Sequence, residues 1–399
     1  MNDAFDYSEL LQSEDGISGT WREIYEEGMP LAWNIENILR CTVFLPQEFY
    51  DLVAAYFMLP SALCRVIPYL FLFGQSGSGK STIARIAACL HGVDINSSSD
   101  TFAGIRNSLN ERRKGIAQIT NEESPGGYYL KNVERNTCMV WDDIDGSVFS
   151  SSPDLYRLFK FGYDRATDKI TVSSGEVGQN TEFHTFCPKI FSSISPLHLD
   201  ERFKELRRRL IVIPCKRIED LSDERKLELN VTDDNWQSKL IDLNNYNWQG
   251  LSYEFLCYWN MVNARRFISE RKVVSKIKTG FTSQQRAISL DILATGLVTG
   301  IWQDTEQAIA RMSAYWQWLK KETEENAGLT GLLKDYVRQE QVNAKNGNRP
   351  LQIYTAQLRQ QVTTWVERGW LYEKPKPTQI KQTLLDLGLR LQQGIWRKG

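Results

Sequence analysis

The segment Gly74-Gln75-Ser76-Gly77-Ser78-Gly79-Lys80-Ser81 constrains this chain more than any other stretch. It follows Pro-Tyr-Leu-Phe-Leu-Phe (68–73), a continuous apolar run suited to a strand buried on both faces, and it opens onto 81–90, whose spacing predicts a helix. Strand, glycine-rich turn and helix in that order give the pattern its meaning. Glycines at 74, 77 and 79 let the backbone curl so that successive N–H groups face inward and cradle phosphate oxygens. The helix start near Lys80 adds the positive end of its dipole. The residues from Gly74 to Thr82 are therefore expected to bind ATP, with Lys80 on the β- and γ-phosphates and the Ser81 hydroxyl on Mg2+.

A second apolar strand, Cys138-Met139-Val140-Trp141, ends in Asp142 and Asp143. An acid at the carboxyl end of such a strand can hold the metal's water shell beside the loop serine, which assigns Asp142 to Mg2+. Asp143 is then the group that polarises an attacking water, and Asp145 is the alternative because aspartate is one methylene shorter than glutamate. The run Lys189-Ile190-Phe191-Ser192-Ser193-Ile194-Ser195-Pro196 reads as a strand whose polar end lies between these two elements, making Ser193 or Ser192 a candidate γ-phosphate sensor. Arg207, Arg208 and Arg209 immediately precede the core strand 210–213. One of them is placed to enter a neighbouring subunit's site and stabilise transition-state charge; a solvated basic face is the competing reading.

The remaining chain fits an α/β sheet with helices on both faces. Helices are expected at 47–59, 101–113 and 153–161, with strands at 93–95, 190–193 and 210–213. Alternating apolar and polar residues at 169–173 and 181–186 flank a loose tip at 174–180, which reads as a hairpin. From about residue 220 the chain turns to long mixed-charge helical segments, and its last part reads as helix, helix and a final hairpin, a winged-helix-like arrangement. The expected organisation is an arm over 1–44, an ATPase core over 45–220, a helical lid or linker over 221–325 and a basic module over 326–399. Within 331–399 the basic residues outnumber the acids, although the whole chain has a formal net charge of -1. That is the electrostatic footprint of a DNA-binding appendage, where Trp365, Trp370 and Trp396 either stack on bases or fill the core.

Seven scattered cysteines without a Cys-x-x-Cys pair, and only 3 histidines, argue against a zinc site or a disulfide framework. The acidic start lacks a secretory pattern, and the longest apolar stretches are broken by Pro60 and Pro68. A soluble, cytoplasmic chain without membrane contact is expected.

The order of loop, Asp-Asp strand, hairpin, polar-tipped strand and arginines before a last strand resembles the AAA+ core of P-loop NTPases. More narrowly, 45–217 is similar to the superfamily 3 replicative helicases and the primase-associated ATPases of phages and plasmids. Phe186-Cys187-Pro188-Lys189 leading into Ser193-Ile194-Ser195-Pro196 resembles that family's third motif, although asparagine is usual where Ser193 stands. The resemblance implies a homo-oligomeric ring, hexameric in the family's manner, that acts on single-stranded DNA as an ATP-dependent helicase or translocase beside a primase or other replication protein. It further implies Arg208 or Arg209 acting in trans, and a pore hairpin over 169–186 in which Lys169, His184 and the tip grip the strand. Two rival readings use the same core: an AAA+ regulator that recruits a partner protein without unwinding, and a small-molecule P-loop kinase.

Overall fold

The apolar runs that read as buried strands pair into one parallel sheet. The computed structural model describes residues 31–97, 99–114, 118–120, 129–131, 138–144, 148–149, 152–173, 180–228, 248–259, 261–326, 328–367, 371 and 374–398. These fall into two units, one drawn from 1–195 and 209–315 and the other from 196–208 and 316–399.

In chain order the strands of the first unit are β1 (Tyr69–Phe73), β2 (Ile95–Asn96), β3 (Gln118–Thr120), β4 (Tyr129–Lys131), β5 (Met139–Trp141), β6 (Lys169–Ser173), β7 (Asn180–His184), β8 (Lys189–Ser193) and β9 (Leu210–Pro214). Five of them form the parallel sheet in the order β2-β5-β8-β1-β9, while β3–β4 and β6–β7 are separate antiparallel pairs. Tyr69–Leu72, Ile190, Phe191 and 210–213 are essentially inaccessible, as continuous apolar runs in a sheet covered on both faces should be. The strand expected at 93–95 pairs only from Ile95, against Val140.

Around the sheet lie helices Leu31–Thr42, Tyr50–Phe57, Lys80–His91, Phe102–Lys114 and Pro153–Phe161. Every residue of Tyr50–Phe57 is buried, and its one charged member, Asp51, accepts from Trp302 Nε1 at 2.9 Å. Residues 31–44 are no detached arm: Leu31, Ile35, Ile38 and Leu39 are buried. The hydroxyl of Tyr50 donates to Val43 O at 2.8 Å and fixes the chain where it leaves that first helix. Helices Met261–Lys276 and Ser283–Val298 pair through Arg271 and the buried Asp291, and Thr282 with Gln285 closes the second as a capping box.

In the second unit helix Gly328–Asn346 is followed by β10 (Ile353–Tyr354), helices Thr355–Glu367 and Pro377–Asp386, then β11 (Leu389–Gln392) and β12 (Ile395–Lys398). The strands form an antiparallel sheet in the order β10-β12-β11. Leu333, Leu358, Leu384, Leu389, Trp365 and Trp396 belong to one core, so both tryptophans are packing residues; Trp370 lies outside the described residues. Gln393 and Gly394 have φ of 49° and 79°, the two left-handed residues that a tight primed hairpin turn requires. Among the described residues no helix is long and apolar enough to cross a membrane.

Candidate functional site

The chain leaves β1 at Phe73 into the turn that precedes helix Lys80–His91. Two glycines there are dictated by close neighbours. A Cβ on Gly74 would stand 2.4 Å from Cys215 O, because Cys215 N donates to Phe73 O at 2.7 Å and carries the adjoining chain past the turn. Gly79 has φ of 82° and a Cβ there would meet Val43 Cγ1 at 2.9 Å, so any side chain would collide as well as strain the backbone. Gly77 also has positive φ, 79°, in open space. Ser78 is 2% exposed and its hydroxyl has no hydrogen-bond partner among the described residues. A buried, unpaired hydroxyl inside a glycine-bounded turn calls for a partner from outside the protein.

Lys80 is 6% exposed, and its Nζ donates to the carbonyls of Gly74 at 2.7 Å and Gln75 at 2.8 Å. Burial lowers its pKa from the usual lysine range, opposed by the carboxylates of Asp143 and Asp142. The neighbouring Cys215 thiol is pushed up to about 12 by burial, so it stays protonated and adds no anion beside the lysine.

Two strands away, β5 delivers the acids, and β8 lies between it and β1. Adjacent strands stand about 4.8 Å apart, so the loop strand and the acid strand are separated by roughly 10 Å, room for a phosphate, a hydrated cation and a water. Ser192, fully buried on β8, bridges both acids: its hydroxyl donates to Asp142 Oδ1 at 2.5 Å and accepts the Asp143 N–H at 2.8 Å. Ile144 N then donates to Ser192 O at 2.7 Å, closing the bend. Asp143 takes φ of 55°, a left-handed conformation rare outside glycine and held here by those two bonds. Asp142 Oδ2 and the Asp143 carboxylate make no hydrogen bond among the described residues, leaving both able to receive a ligand. One cavity of about 410 Å³ is lined by Ser76 to Thr82, Asp142, Asp143 and Ser192, and by Thr42, Val43 and Phe44 from the other side.

The sequence candidates distribute unevenly. Ser81 and Thr82 line the cavity with Lys80. Ser193 does not: its Oγ accepts the Ser195 N–H at 3.0 Å and caps the end of its own strand. Successive side chains on a strand point to opposite faces, so Ser192 is the residue turned toward the acids. Asp145 and the tip 174–179 lie outside the described residues. Arg208 is exposed and paired with Glu205, whereas Arg209 is 7% exposed, with its guanidinium 4.4 Å from the centre of the Tyr163 ring. Arg209 precedes β9, whose register sets Leu210 beside Tyr69 and Pro214 beside Phe73. It therefore lies at the end of the sheet opposite the loop and does not line the cavity, while Arg207 and Arg208 belong to the second unit. Lys169 is exposed but paired across the hairpin with Glu182 at 2.8 Å. His184 faces the buried Asp168 with Nδ1 3.3 Å from either oxygen, and Arg106 stacks on Phe183 at 3.8 Å. Hairpin β6–β7 is thus tied by charge to itself and to helix Phe102–Lys114.

Comparison with protein-family models finds no match, and a search of curated proteins finds none either.

Proposed function

We propose that this chain is a P-loop ATPase with an AAA+-like core, which couples hydrolysis of Mg-ATP to work on single-stranded DNA as a homo-oligomeric ring of the superfamily 3 helicase kind. The observation that carries the reading is the Asp142–Ser192–Asp143 cluster standing across one cavity from the Gly74–Ser81 turn. In this reading backbone amides of the turn hold the triphosphate and the Ser78 hydroxyl gains its missing partner. Lys80 exchanges the Gly74 and Gln75 carbonyls for phosphate oxygens. Ser81 and Asp142 would hold Mg2+, and two protein oxygens suit an ion that keeps most of its ligands as water and phosphate. Bound there, the ion neutralises charge on the phosphate oxygens. Asp143 orients the attacking water, with its bent backbone fixed by Ser192. The helix–strand–helix–helix–strand–strand order of the second unit supports a winged-helix-like module, consistent with its basic charge.

The test is the ATPase rate of the full chain with and without single-stranded DNA, alongside its mass in solution with ATP. Stimulation by DNA and a ring-sized mass are expected; a wild-type chain that binds no Mg-ATP would sink the reading. One observation favours a second reading, the regulator that engages a partner protein: the hairpin's Lys169 is already neutralised by Glu182. A ring whose ATPase ignores DNA would select it.

A further inference from the structure

The small sheet of the second unit has one face that the core does not use. Ile353, Leu389 and Trp396 point into the core and are buried. Alternation therefore turns Tyr354, Arg390, Gln392, Ile395 and Arg397 to the opposite face. The register places Tyr354 beside Ile395, Ile395 beside Gln392, and Arg397 directly opposite Arg390. Two like charges facing each other across a strand pair weaken a sheet. Neither arginine has an ion pair or hydrogen bond among the described residues, both are exposed, and the three strands contain no acid to offset them. Tyr354 is 43% exposed and also borders an open groove of about 530 Å³, whose walls include Tyr336, Arg349, Gln352, Gln357 and Gln361.

We infer that this outer sheet face binds single-stranded nucleic acid, with Tyr354 stacking on a base, Arg390 and Arg397 on backbone phosphates, and the groove's amides on base edges. An exposed ring between cations and amides matches the alternation of base and phosphate along an unpaired strand. A duplex would keep its bases from the ring. Amides bordering the tyrosine, where a lipid surface would demand apolar side chains, favour nucleic acid over a membrane. The inference deepens the proposed function and rests on it for the class of ligand.

The experiment measures fluorescence anisotropy of a labelled oligothymidylate with the full chain and its Tyr354→Ala, Arg390→Glu and Arg390→Ala/Arg397→Ala variants, over a series of salt concentrations. Arg390→Glu creates a cross-strand pair with Arg397, so its melting temperature should rise while affinity falls about tenfold or more. Those opposite signs separate a binding role from a structural one. The double alanine variant should flatten the salt slope by about 1.4, and Tyr354→Ala should weaken binding about fivefold or more with the slope unchanged. Mg-ATP binding should stay at the wild-type level in all three. If the wild type binds the strand and every variant matches it within about twofold, the inference is overturned and the proposed function stands. If the wild type binds no strand at all, the DNA part of the proposed function fails and takes the inference with it. Variant-sensitive binding to phosphatidylserine vesicles, with oligonucleotide binding unchanged, would also overturn it.

Discussion

Ser192 accepts from one acid's backbone and donates to the other's carboxylate, so its single hydroxyl sets both orientations. Loss of a hydrogen bond to a charged group is worth about 1.5–3 kcal/mol, so Ser192→Ala should cut turnover roughly tenfold to a hundredfold while ATP still binds. Ser193→Ala, which among the described residues loses only the hydrogen bond from Ser195 N, should keep near-wild-type turnover; the reverse ranking in a steady-state assay would return the role to Ser193. Lys80→Ala should abolish tight ATP binding, and Asp143→Asn should bind ATP but hydrolyse it poorly, whereas loss of binding there would swap the two acids. Buried histidines shape the response to acid, and burial, helped by Arg207, lowers the His198 pKa to about 3. His91 is 3% exposed, lies edge-on to Phe255 and has no hydrogen-bond partner on either ring nitrogen among the described residues; burial lowers its pKa from 6.5 to about 4. The unfolded chain takes up this proton near pH 6.5 and the native one only near 4, so stability falls as pH drops through that window and levels below it. His91→Phe should remove about 3 kcal/mol of that loss, read as a flatter dependence of the urea midpoint on pH. An unchanged dependence would mean another group carries it. The loop residues were legible in the sequence because their chemistry is local, a turn that must curl and a lysine that must follow. The choice between Ser192 and Ser193 was not legible, because both faces of a central strand are buried and alternation leaves no polarity signal.

At the scale of elements, β8 joins two regions. Ser192 stands near its carboxyl end, and at its start the fully buried Lys189 donates to Thr185 O at 2.7 Å, Gly162 O at 2.9 Å and Cys187 O at 3.4 Å. Thr185 follows β7, and Gly162 caps helix Pro153–Phe161, so one ammonium group pins the root of the hairpin and the end of that helix to the sheet. Burial lowers the Lys189 pKa, yet the three carbonyls and the Tyr69 ring 4.9 Å away compensate a charged form. Lys189→Met fills the space but strands those carbonyls, and should cost about 2–4 kcal/mol by chemical denaturation; a change under about 0.5 kcal/mol would show that the carbonyls find other partners. The core strands were readable as apolar runs bounded by turns. Their order in the sheet was only partly readable, since parallel pairing depends on contacts distant in sequence. The β3–β4 pair went unread because neither three-residue strand has enough length to show a period. The sequence places Thr42–Phe44 in an arm, yet Val43 stands against Gly79 and all three residues line the cavity. Nothing in a short apolar stretch announces which glycine it will meet.

For the whole molecule, the excess of basic residues in 331–399 on a chain of net charge -1 leaves the rest acidic, so any attraction to nucleic acid is concentrated in the second unit's part of the sequence. The other whole-molecule question is whether a subunit supplies a residue to its neighbour. Arg208 and Arg209 answer differently. Arg209 is buried against Tyr163, so Arg209→Ala removes packing and a cation–π contact and should lower the stability of the isolated chain whatever its assembly state. Arg208 is exposed and its ion pair with Glu205 is a surface one, so Arg208→Ala should fold normally. If Arg208 acts across an interface, Arg208→Ala is inactive with ATP still bound, and mixing it with Lys80→Ala subunits regenerates sites that combine an intact lysine with a neighbour's intact arginine. In a randomly mixed ring about a quarter of the interfaces are of that kind, so ATPase should recover toward that fraction at equal ratio and fall on either side of it. A residue acting within its own subunit cannot be rescued this way at any ratio. A flat, zero response in the titration would therefore remove Arg208 from the trans role and leave its exposed charge as part of a solvated face.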